Sequence, residues 1–89
     1  MQDGDTFDWE AMASNILRAE LRMRGMTQAM LVDAMNEAGT PTTIASIKNK
    51  VGRGSFGFDF FLQAMSAIGA DTIRIPAPYA TPRSRRLVA

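Results

Sequence analysis

The stretch TTIASIKNKVGRG, residues 42–54, concentrates the side chains of this sequence that could do chemistry. It carries Lys48, Lys50 and Arg53 and no acidic residue. Three aliphatic residues recur at i, i+3 and i+7, the spacing of one buried stripe on a helix: Ile44, Ile47 and Val51. The opposite face of that helix would be basic, with short hydroxyl and amide side chains. Such a face could bind a polyanion, with the bases on phosphate groups.

Catalysis has little support in the composition. The chain has no histidine and no cysteine, which removes the usual general base, the usual metal ligand and any disulfide. Its serine and threonine hydroxyls therefore lack a histidine to activate them. The carboxylates of Asp33 and Glu37 lie at i, i+4, which is typical of a solvated helix face. The sequence has no glycine-rich phosphate loop and no dinucleotide fingerprint. We expect a protein that is not an enzyme and uses neither metal nor cofactor.

Charge is distributed unevenly along the 89 residues, although the net charge is only +1. The first ten residues hold four acids and no base, and residues 76–89 hold three prolines and three arginines. We expect a flexible acidic segment at 1–7, one domain at 8–75 and a flexible tail at 76–89. The three tail arginines are either a disordered end or a loose phosphate contact: Arg83, Arg85 and Arg86.

Targeting signals are not apparent. No apolar run approaches the roughly 20 residues that span a bilayer, and the start MQDGDTFDWE lacks the apolar core of a signal peptide. These features predict a soluble protein in the cytoplasm. If the basic stretch binds DNA, the protein would associate with the nucleoid.

Helical spacing of apolar residues predicts an all-α domain. The first helix begins after a cap at Thr6 or Asp8 and ends at Gly25. The second helix begins after a cap at Thr27 and ends at Gly39. The break between them is only two or three residues long.

The second half of the domain continues the pattern. A third helix is predicted over about 42–51 and a fourth over about 57–68, capped by Ser55. The alternating segment 71–75 could add a short strand. The fourth helix has a main apolar stripe: Phe58, Phe61, Leu62, Met65 and Ile68. It also has a second apolar line, which we interpret as a candidate interface: Phe60, Ala64 and Ala67.

Two sets of sequence blocks each resemble a known family. The blocks LRAELRMRGMTQAMLVDAM, TTIASIKNKVGRG and FLQAMSAIGA resemble the helices of lambda-repressor-like helix-turn-helix domains, which have four to five helices. The frame NILRAELRMRG, NKVGRGSF and FFLQAMSAIG resembles a small bacterial family of uncharacterised domains over about residues 9–75. The segment NEAGTPT is longer than the usual helix-turn-helix turn. Thr42 and Thr43 stand where glutamines usually begin the recognition helix.

The first resemblance implies binding to double-stranded DNA, with the third helix in the major groove and the second across the backbone. Small polar residues of the third helix would contact bases: Thr42, Thr43, Ser46 and Asn49. Phosphate contacts would come from the bases of that helix and from the start of the second: Gln28, Lys48, Lys50 and Arg53. A single module discriminates poorly, so we expect a homodimeric transcriptional regulator.

Two other interpretations stay open. The basic stretch could be an ordinary solvated helix face without function. Alternatively, the scaffold could be a protein-interaction adaptor that binds a polymerase, a sigma factor, a topoisomerase or a larger regulator. The low net charge, the seven methionines and the second apolar line of the fourth helix favour the adaptor.

Overall fold

The computed structural model describes residues 7–75, which form four α-helices. The helices are α1 (Trp9–Met23), α2 (Gln28–Glu37), α3 (Ile44–Arg53) and α4 (Phe58–Ala67). They confirm the all-α class predicted from the sequence. Within the described range there is neither a fifth helix nor a strand, so the strand that we expected at 71–75 does not form. The predicted tail and residues 1–6 lie outside that range.

Three of the helices begin where a side chain caps them. Asp8, Thr27 and Thr43 each accept a hydrogen bond from the backbone N–H three residues ahead, at 2.9, 3.1 and 3.1 Å. Such a bond satisfies one of the unpaired N–H groups of the first turn and stabilises a helix by roughly 1 kcal/mol. The prediction for α4 is wrong, because this helix follows Gly57 without a side-chain cap and Ser55 plays no part.

Helix α3 begins and ends two residues later than predicted. Thr43 takes an extended backbone conformation as the N-cap, so the first helical residue is Ile44. That residue is 40% exposed, and the buried stripe consists of Ile47 and Val51 alone. The helix ends at Gly54, whose left-handed φ of 70° stops further turns.

The core lies where the four helices meet, with α1 packed on α3 and α2 packed on both α3 and α4. Five of its side chains are essentially inaccessible to solvent: Leu17, Leu31, Met35, Ile47 and Val51. Each fully buried aliphatic side chain of this size contributes roughly 1.5–3 kcal/mol to folding. These five residues come from α1, α2 and α3. The aromatic residues of α4 close the remaining side of the cluster.

Helix α4 is rotated relative to the sequence prediction. Phe58 and Leu62, which we assigned to the buried stripe, are 71% and 53% exposed. Phe60 and Ala64, which we assigned to an interface, are buried in the core, and Ala67 packs against it. The buried face of α4 thus combines Phe61 and Met65 of the predicted stripe with Phe60 and Ala64 of the second apolar line, so that line is not available as an exposed interface.

Candidate nucleic-acid interface

The outward side of α3 is the surface that the buried stripe of that helix leaves free. Ile47 and Val51 point into the core. With 3.6 residues per turn, Ala45, Asn49 and Gly52 lie on the other side of the helix, and all three are exposed. We call these three residues the outward side of α3. Their side chains are short, so a partner surface can approach the helix backbone closely.

Two bases adjoin the outward side of α3 and are available to a partner. Lys48 and Arg53 are exposed, and neither forms an ion pair with any residue in the range 7–75. The ion pair found in that range joins Arg24 to Glu20 on α1, with 2.6 Å between nitrogen and oxygen. The helix itself carries no acid, so no charge of α3 offsets these two bases.

Lys50 occupies a different position from the other two bases. Its Nζ donates a hydrogen bond of 2.8 Å to Ser46 Oγ and lies 5.3 Å from the centre of the Phe60 ring. Lys50 and Ser46 are half-buried and line a cleft between α3 and α4. Both residues were predicted to contact DNA, but the structure engages their side chains with each other at the edge of the helix.

The remaining predicted contacts lie at the starts of helices. The hydroxyl of Thr43 is the cap of α3, and the backbone N–H of Thr42 donates to Asn36 Oδ1 at 2.8 Å. Gln28 is the first residue of α2 and is half-buried. The two threonines therefore hold the α2–α3 connection in place, whatever else they contact.

Gly52 has no role inside the described fold that requires a glycine. It lies within α3, and a Cβ built on it would meet no atom within 4 Å. A glycine in a helix interior costs about 1 kcal/mol relative to alanine. Gly52 was not among the residues predicted to contact DNA, although a glycine inside a helical pattern is a visible signal. Close approach of another molecule would account for it.

Arg18 is a second residue that sequence reasoning missed. It projects from α1 into a groove of about 200 Å³ between α1 and α3, which Gly52 and Arg53 also line. Asp8 and Glu10 line the same groove, so its charge is mixed. Arg18 lies off the apolar stripes of α1, and only the packing of α1 on α3 places it beside Arg53.

Other kinds of site find no support in residues 7–75. No three His, Cys, Asp or Glu side chains of this range come together as a metal site would require. None of the helices there combines the length and the apolar character needed to cross a bilayer.

Comparison with known proteins places the chain in a family. No curated protein and no solved structure matches it. The family model of DUF6471, described as a domain of unknown function, matches residues 9–73. That match includes all four helices and the outward side of α3. The chain therefore belongs to the DUF6471 family.

Proposed function

We propose that this protein is a DNA-binding transcriptional regulator that places α3 in the major groove of double-stranded DNA. The single observation that carries the proposal is the outward side of α3, where Ala45, Asn49 and Gly52 are exposed and small. An exposed helical glycine without an internal reason suits a helix whose backbone is approached by a partner. The unpaired bases beside it suit a partner that is a polyanion.

The shape of the major groove matches such a helix. The groove is about 12 Å wide and admits one α-helix, with close approach where the side chains are small. Asn49 can form paired hydrogen bonds with an adenine edge, and the methyl group of Ala45 can contact a thymine methyl group. These two residues would supply sequence preference, whereas Gly52 would allow the helix to enter deeply.

Electrostatics would supply most of the affinity. Lys48 and Arg53 would bind phosphates on the walls of the groove, and Arg18 lies near enough to Arg53 to add a contact. About four to six phosphate contacts per subunit give a salt slope of about −4 to −5 on logarithmic axes. One such module discriminates poorly between sequences, so the functional form in this proposal is a homodimer on two half-sites.

The first test is recovery of bound fragments from sheared genomic DNA of the host at about 150 mM salt, followed by sequencing. Sharp peaks that share a motif are expected, and the motif's symmetry would report the dimer. Broad recovery without peaks would contradict sequence preference and leave backbone binding only. Recovery no higher than with a blank resin would refute the proposal.

Single charge removals test whether α3 makes the contact. Lys48→Gln and Arg53→Gln should each weaken DNA binding several-fold and reduce the salt slope by about 0.9, because each loses one phosphate contact. Arg24→Gln is the matched control, since it removes one charge at the end of α1, where Arg24 pairs with Glu20 and lines neither the outward side of α3 nor the groove beside it. Equal losses in all three variants would show a diffuse charge effect, not a contact through α3.

A protein-interaction adaptor is the second candidate, and α4 favours it. Phe58 and Leu62 are exposed at i, i+4, an apolar pair of the kind that helices insert into partner grooves. The partner would be a polymerase subunit, a sigma factor, a topoisomerase or a larger regulator. Stoichiometric capture of such a protein from nuclease-treated lysate, lost in Phe58→Ser and Leu62→Ser, would support this candidate.

A further inference from the structure

Helix α1 has a second apolar face, which borders the core at Ile16 and is otherwise outside the core cluster. Leu17 and Leu21 enter the core, and the Ser14 hydroxyl donates to the Val51 carbonyl of α3. On the other side of α1, four apolar residues follow one another at spacings of four, three and four: Met12, Ile16, Ala19 and Met23. We call these four residues the α1 seam. Because they repeat at helical spacing, they form a continuous line on one face of the helix.

The α1 seam lines an open groove of about 600 Å³. Phe7 and Arg74 stand at its sides. Ile16 is half-buried, Ala19 is exposed and Met23 is 69% exposed. Met12 is buried outside the core cluster, so Ile16, Ala19 and Met23 form the accessible part of the seam. A contiguous apolar groove on so small a domain marks a contact surface.

The spacing of the α1 seam indicates what fits the groove. Apolar residues that alternate at four and three form the seam along which two helices of a coiled coil pack. Ala19 near the middle is small, so a second helix can approach closely there. The occupant predicted by this pattern is a helix that carries the same kind of stripe.

Charge identifies that helix as α1 of a second copy. Asp8 caps the start of α1 and Arg22 lies in its last turn, and neither forms an ion pair within residues 7–75. In an antiparallel pair whose two-fold axis lies near Asn15, midway between the two charges, Asp8 approaches the partner's Arg22, and the contact occurs twice. The opposed helix dipoles favour the same orientation.

We propose that two copies of this protein associate through antiparallel packing of their α1 seams. This pairing forms the interface of the homodimer in the proposed function. It rests on the proposed function only in that the dimer is the form that binds DNA. Helix α1 has 15 residues and is about 22 Å long, which is short for an interface between stable partners. We therefore expect a weak dimer, with a dissociation constant on the order of micromolar.

Sedimentation of the full chain without DNA, from about 1 to about 200 μM, tests the pairing at concentrations around that constant. The native protein shifts from monomer to dimer over this range. Ala19→Glu places two charges in the seam, one from each copy, and raises the dissociation constant at least about tenfold. Leu62→Glu is the matched control, an equal apolar-to-acidic change at an exposed helical position outside the groove.

A second pair of variants isolates the charge contact. Arg22→Glu brings like charges together and weakens the dimer several-fold. Arg18→Glu makes the same change on the same helix, but Arg18 lies on the α3 side and away from the seam. It leaves the dimer intact. Met23→Glu repeats the seam test at an exposed residue, and circular dichroism verifies that each variant folds.

Three outcomes would overturn the proposal. These are a native protein that stays monomeric at the highest concentration, a folded Met23→Glu or Ala19→Glu variant that dimerises like the native chain, and a dimer lost in Leu62→Glu alone. The last would assign the contact to α4. Because sedimentation uses no DNA, a failure of the α1 pairing is distinguishable from a failure of DNA binding.

Discussion

Two glycines at the end of α3 lie two residues apart and differ in almost every respect. Gly54 is buried, has a φ of 70°, and a Cβ built on it would overlap the backbone carbonyl of Glu10. Gly52 is exposed and helical, and its Cβ would lie in open space. The packing of α1 on α3 therefore requires a glycine at position 54, whereas nothing in the described fold requires the glycine at position 52.

This difference separates a residue that stabilises the domain from a residue that the domain exposes to a partner. Gly54 lets α1 approach the end of α3 backbone to backbone, so it serves folding. Gly52 weakens its own helix and gives the fold no contact in return. A position that lowers stability without an internal reason points to a contact made by another molecule. Four sets of substitutions test whether the two glycines differ in this way.

The largest effect is expected for Gly54→Ala. A left-handed backbone costs a non-glycine residue roughly 1–2 kcal/mol, and the overlap with the Glu10 carbonyl forces the helices apart. We expect a loss of at least about 3 kcal/mol in urea unfolding, enough to unfold much of a small domain. Gly39→Ala is the matched control, with a φ of 88° but open space around its Cβ. Equal losses in both variants would show that backbone strain, not the α1 contact, decides the cost.

Ser14→Ala tests the other bond between α1 and the end of α3. The buried hydroxyl of Ser14 donates to the Val51 carbonyl, one of the last carbonyls of the helix and therefore without an intrahelical partner. Losing the bond should lower the free energy of unfolding by about 1–3 kcal/mol. Ser66→Ala, at an exposed residue of α4, should change it little. A neutral Ser14→Ala would mean that water or a shift of α1 replaces the bond.

Gly52→Ala tests the outward side of α3. The added methyl group meets no atom, so unfolding should require up to about 1 kcal/mol more free energy, as alanine favours helix. In the proposed complex the same methyl group intrudes between α3 and the DNA, so binding should weaken. A more stable variant with unchanged DNA binding would remove the functional reason for this glycine.

The smallest effects separate two lysines of α3. Lys50→Met loses the contact with Ser46 and the charge over Phe60, which should cost about 0.5–1 kcal/mol. Lys48→Met changes an exposed side chain, and its stability should stay within about 0.5 kcal/mol of the native value. For DNA binding we expect the reverse order, with the larger loss in Lys48→Met. If the same variant showed the larger loss of both stability and DNA binding, the distinction between Lys50, engaged within the fold, and Lys48, available to DNA, would be wrong.

Much of the local structure was predictable from residues close in sequence. The caps at Asp8 and Thr27 and the helix ends at Gly25 and Gly39 follow from side chains that bond a few residues away. The stripe of Ile47 and Val51 also followed from spacing. Such features depend on contacts within one turn, which the chain order itself specifies.

The orientation of α4 could not be predicted in the same way. Its two apolar lines both have helical spacing, so periodicity alone does not decide whether Phe58 or Phe60 enters the core. Packing of α4 on α2 buries Phe60, and Lys50 of α3 lies over its ring. The candidate interface shifted for the same reason, because the direction of Lys50 depends on an aromatic ring of the next helix.

The sequence by itself determined that the chain forms helices, where most of them begin and end, and that α3 is basic without an acid. Only the tertiary structure decided which faces are covered. The bond between Ser14 and Val51 joins residues 37 positions apart, and the contact of Gly54 with Glu10 spans a similar distance along the chain. Cap bonds form between neighbours and are visible in the sequence, whereas burial depends on which distant segments meet. The availability of Gly52 and of the α1 seam follows from that packing.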